Sequence, residues 1–83
     1  MDMIEQTIHA KIVELARALG RDARSLGFGD EIPASGLLDS PALMELIMWC
    51  EMEFGIEIEQ EQLTLDNFGS IDAIAAFVKG ARK

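Results

Sequence analysis

Apolar residues recur along this chain at spacings of three and four, and nowhere do they alternate at a spacing of two for long enough to build a sheet. That pattern confines the fold to packed helices. Ile4, Ile8, Ile12, Leu15 and Leu19 mark one face of a first helix, expected to begin near Asp2 and to end before Gly20. Leu43, Leu46, Ile47, Cys50 and Phe54 mark the core face of a second helix, which stops at Gly55. Ser40 is expected as its N-cap, with Pro41 at the first helical position, where the missing N–H is not needed. A last helix runs through Ile71, Ile74, Ala75, Phe77 and Val78, capped by Ser70 and stopped at Gly80.

Between the first two helices, Arg21 to Asp39 has no sustained period and contains Gly27, Gly29, Pro33 and Gly36, so it reads as a long loop. Leu26, Phe28, Ile32, Leu37 and Leu38 are placed to pin that loop to the core. After Gly55 a short extended link leads into Glu59 to Phe68, which has room for one or two helical turns around Leu63 and Leu65. The expected architecture is all-α: a four-helix bundle of three main helices and one short one, with a long loop between helices one and two. At 83 residues it is one domain over 1–83, near the size at which apolar packing alone still sustains a fold.

A single cysteine excludes an internal disulfide, and one cysteine with one histidine, His9, cannot complete a tetrahedral zinc site. His9 is expected at the boundary of the first helix, and Cys50 in the core as a small hydrophobe. The first six residues lack a basic start followed by an apolar run, and no stretch approaches the ~20 apolar residues of a membrane span. A cytoplasmic, unprocessed monomer is expected. Charge is distributed unevenly: all seven basic residues lie within Lys11–Arg24 or Lys79–Lys83, so Ser25 to Val78 holds eleven acidic residues and no base. Such a surface repels nucleic acid and steers basic partners toward itself.

Gly36-Leu37-Leu38-Asp39-Ser40 lies where the long loop meets a helix start, which presents the Ser40 hydroxyl where backbone N–H groups and the helix dipole favour an attached anion. On its own, Ser-Pro at a helix start is more often only a cap. Three further segments follow in order: Met44-Glu45-Leu46-Ile47, Glu53-Phe54-Gly55-Ile56-Glu57-Ile58 and Asn67-Phe68-Gly69-Ser70-Ile71. Together with the first they resemble the acyl and aminoacyl carrier proteins, over about half the chain. The resemblance implies that Ser40, with Asp39 as its motif neighbour, receives 4'-phosphopantetheine from coenzyme A through a phosphopantetheinyl transferase. The arm's thiol would then hold an acyl or aminoacyl cargo as a thioester. Ser25, Ser35 and Ser70 lack the preceding aspartate and the following amphipathic helix. Two positions depart from the family: Pro41 replaces the usual leucine, and Ala42 stands where relatives often carry an acid.

A carrier performs no chemistry of its own, which agrees with a sequence that offers no nucleophile–base–acid set and no glycine-rich phosphate loop. The partners the resemblance implies are the transferase, an adenylating ligase that loads the cargo, and a downstream acyltransferase or synthase of lipid or secondary-metabolite synthesis. Met44, Met48 and Met52 form a ladder at i, i+4 and i+8 beside Glu45 and Pro41. Flexible thioethers suit a surface that repacks against several partners, so these five residues are the expected docking set, helped by the charges of Glu51 and Glu53. Core packing competes as a role for Met44. Trp49 is either a packing residue against the long loop or a partner contact. An unmodified helical adaptor with the same fold is the alternative from another functional class.

Overall fold

The computed structural model describes residues 4–82, so the expected start of the first helix at Asp2 lies outside the described residues. The element order is α1 (Ile4–Ala18), α2 (Ile32–Ser35), α3 (Ser40–Phe54), a 3-10 turn (Gln60–Gln62), α4 (Leu65–Phe68) and α5 (Ile71–Arg82). Three main helices, two single-turn helices and a 3-10 turn make an all-α bundle, with no strand among the described residues. α1 buries Ile8, Ile12 and Leu15 on the stripe its periodicity predicts, with Ala16, outside that stripe, buried beside them. Leu19 departs from that stripe. The helix ends one residue earlier, Gly20 takes φ 75, and Leu19 is left 38% exposed.

α1 and α5 run antiparallel, since Glu5 in the first turn of α1 lies 3.2 Å from the Lys79 ammonium near the end of α5. Ile71, Ile74, Ala75 and Val78 face into the same core as Ile8 and Ile12. Ser70 caps α5 as expected, its hydroxyl accepting from the Ala73 N–H at 3.1 Å. Gly80 does not stop it. The helix passes through Gly80 to Arg82, because the ~1 kcal/mol cost of glycine within a helix is small beside the packing that holds the turns before it.

The segment expected as an unbroken loop contains α2, a four-residue turn with buried Ile32 at its start and Pro33 in its first turn, where proline costs no hydrogen bond. Gly36 ends it at φ 72. Leu26, Ile32 and Leu38 are buried as anchors and Leu37 is half-buried, while Phe28 is 37% exposed and rests edge-on against His9 with ring centroids 6.0 Å apart. Ala23 is a further anchor, fully buried, whose carbonyl accepts a hydrogen bond from Nε2 of His9 at 3.0 Å. A carbonyl only accepts, so the Nε2 proton is required. Backbone bonds from Ile32 N–H to the Gly69 carbonyl and from Asp72 N–H to the Phe28 carbonyl tie the loop to the α4–α5 junction. Glycine is needed at 69, where a Cβ would collide with the Leu65 carbonyl.

α3 ends at Gly55, as expected, in the left-handed region at φ 63. Its start differs by one residue. Asp39, not Ser40, is the N-cap: its backbone is extended, its carboxylate accepts from the Ala42 N–H at 2.9 Å, and its carbonyl accepts from Leu43 N–H. Ser40 is the first helical residue. The core face of α3 also turns slightly, with Ala42, Leu46 and Cys50 buried and Leu43, Ile47 and Phe54 packed at the edge.

Candidate functional site

Moving the cap to Asp39 frees Ser40. Its side chain is exposed and makes no hydrogen bond to another described residue, so the hydroxyl oxygen is open to an approaching electrophile. The other serines differ. Ser35 Oγ donates to the Ile32 carbonyl at 2.6 Å and accepts from Leu37 N–H, and Ser70 Oγ is committed to its cap. Ser25 is exposed but lies in the loop, away from any helix start.

The first turn of α3 offers an anion less than its sequence suggests. Pro41 has no N–H, and the Ala42 N–H is taken by the Asp39 carboxylate. Among the described residues, Ser40's own N–H is the one donor of that turn without a protein acceptor. The helix dipole remains and favours negative charge there, but the adjacent Asp39 opposes it. Ser40 itself is exposed to solvent at this helix start.

Downstream of Ser40 the outer face of α3 is unusually apolar. Met44, Met48 and Met52 are 49%, 58% and 84% exposed, which resolves Met44 away from the core. Glu45, Glu53 and Pro41 are exposed beside them. Glu51 does not belong with them. It is half-buried, and its carboxylate accepts from the Ile58 N–H at 3.0 Å, fixing the link after Gly55. Trp49 lies against α1: Lys11 Nζ is 5.9 Å from its ring centroid, and Phe54 meets it edge-on at 5.6 Å. Cys50 is fully buried, and burial, with the charge of Glu51 adding to it, pushes its thiol up to about 12.

One turn along α3 from Ser40 opens an apolar groove of about 290 Å³. Leu43, Met44 and Ile47 form one wall, and Leu63, Leu65 and Phe68 the other. Pro33 of α2 and the polar Thr64 complete it, with no charged residue in the lining. The sequence reading missed this groove, placing Leu63 and Leu65 only at the centre of a short helical turn. A signal was present. Leu63 precedes the Thr64 cap and Phe68 falls at the fourth helical position after it, the spacing of a hydrophobic staple. Leu63 and Phe68 both line the groove, and Phe68 also meets Phe77 of α5 with ring centroids 5.1 Å apart.

The family model described as a phosphopantetheine attachment site matches residues 12–78, from the middle of α1 to near the end of α5. No curated protein matches the sequence significantly.

Proposed function

Since the chain belongs to the phosphopantetheine attachment family, whose members hold 4'-phosphopantetheine covalently and are typically carriers without catalysis of their own, we propose that Ser40 is the residue that bears the arm. The observation that carries this reading is the unpartnered, exposed hydroxyl at the start of α3, beside a groove the arm can fold over. A phosphodiester forms when the hydroxyl oxygen attacks the β-phosphorus of coenzyme A. The P–O bond to the nucleotide phosphate breaks, adenosine 3',5'-bisphosphate leaves, and the serine proton passes to a base of the transferase. When loaded, the arm holds its cargo as a thioester.

The chain works as a single carrier domain in the cytoplasm, visiting a transferase, an adenylating ligase and a downstream acyltransferase or synthase in turn. Docking falls to Pro41, Met44, Glu45, Met48 and Met52. Of the two cargo classes, the groove favours an acyl chain. An aminoacyl thioester carries an ammonium, and an apolar lining with no carboxylate gives that charge no partner. An unmodified adaptor accounts for the methionine ladder but not for the free serine. Incubation with coenzyme A and a broad-specificity phosphopantetheinyl transferase, followed by intact mass measurement, should show one added arm. A folded protein that gains no mass under conditions that modify other carriers would favour the adaptor.

A further inference from the structure

On a chain of formal net charge −8, Arg17, Arg21 and Arg24 gather around one recess of about 290 Å³ at the end of α1, with Val13 and Asp22 as its other lining. One arginine is already committed: Asp22 takes Arg24 in a two-pronged pair at 2.8 and 2.9 Å and also accepts the Arg24 backbone N–H. Arg17 and Arg21 have no ion pair among the described residues. Three arginines against one aspartate leave the recess two positive charges in excess. We infer that this recess is an anion site for a phosphate-bearing ligand, held by Arg17 and Arg21, with Arg24 locked in place by Asp22.

The donor geometry favours phosphate over carboxylate. Each guanidinium presents a planar fork, and a carboxylate's two oxygens satisfy one fork, as Asp22 does for Arg24. A phosphoryl group has three free oxygens and carries a charge of about −1.5 to −2 at neutral pH, which matches the excess and serves two forks. Asp22 is held at about 2, chiefly by its hydrogen bonds to Arg24, so it keeps its charge at working pH and the excess does not change. The negative end of the α1 dipole opposes an anion here, but weakly. The Ala16 carbonyl already accepts from Leu19 and Arg21, and the Arg17 carbonyl from Gly20, which takes up the partial charge of the last turn. All three arginines are exposed, so binding should be in the millimolar range and screened by salt.

The probe is inorganic pyrophosphate, titrated at constant ionic strength while the arginine Nε–H signals are followed by NMR. Saturable shifts at Arg17 and Arg21 are expected, with half-saturation moved up about threefold to fivefold in Arg21→Gln, the loss expected for one solvent-exposed ionic contact. Arg17→Gln should act alike, and neither variant should alter the rest of the spectrum, since both side chains are in solvent. Shifts that grow without saturating and are reproduced by chloride, a saturable response centred on Lys79 instead, or a curve unchanged in both variants would overturn the assignment.

Discussion

α5 and α3 are both helices that pack on α1, yet they dispose of their apolar residues differently. α5 turns Ile71, Ile74 and Val78 inward and leaves no large hydrophobic residue exposed. α3 is richer in apolar residues but buries only Ala42, Leu46 and Cys50, and presents three methionines to solvent. The inward residues of α5 stabilise the core, whereas the docking role proposed for α3 rests on the row of flexible apolar side chains it keeps outside. The first consequence concerns stability. Ile74→Ala should cost about 2–5 kcal/mol in urea unfolding, whereas Met52→Ala should stay within about 0.5 kcal/mol. Equal losses would show that the two helices do not differ as described.

The inner stripe of α3 has a pH signature. An unfolded Cys50 ionises near 9.0, but the buried thiol holds its proton to about 12. Between those values the unfolded state binds fewer protons than the native one, so stability falls as pH rises through that window. Thermal melts should show wild type losing stability relative to Cys50→Ala above pH 9, and the native thiol should resist a bulky maleimide. Rapid labelling would place Cys50 on the wrong face.

A smaller effect separates two neighbours. Asp39→Ala removes the cap of α3 and should cost about 1 kcal/mol, while Ser40→Ala, which removes no hydrogen bond, should change stability by less than about 0.5 kcal/mol. The same pair shows where the sequence could be read and where it could not. Asp39 and Ser40 are both good caps, so composition does not choose between them; only the extended backbone at 39 and its reach to Ala42 do. Gly55 stops its helix because it adopts positive φ, whereas Gly80 does not, and nothing in the residue type distinguishes them. The stripes of α1 and α5 were legible because period alone determines a helix face. The groove was not, since Leu63 and Leu65 line it only once the chain from Leu63 to Phe68 is brought beside Leu43, Met44 and Ile47. The motif singles out Ser40 as the candidate acceptor, but its freedom from the cap is visible in the structure alone.

The subtlest contrast lies within the outer face of α3. Burying Met48 contributes on the scale of ~1.5–3 kcal/mol, less what the free protein already covers, whereas an exposed ion pair to Glu45 is worth at most ~1 kcal/mol and is screened by salt. In surface plasmon resonance against the transferase, Met48→Ala should raise the dissociation rate severalfold with little dependence on salt. Glu45→Gln should mainly slow association, and only at low salt. The reverse pattern would make docking electrostatic and return the methionines to a packing role.

The attachment of the arm is tested most directly by treating wild type and Ser40→Ala side by side with coenzyme A and transferase, confirming by circular dichroism that both are folded, and mapping any modified peptide by mass spectrometry. One arm on wild type, localised to Ser40, and none on Ser40→Ala is the predicted result. Modification that persists in Ser40→Ala, or that maps to Ser25 or Ser35, would contradict it.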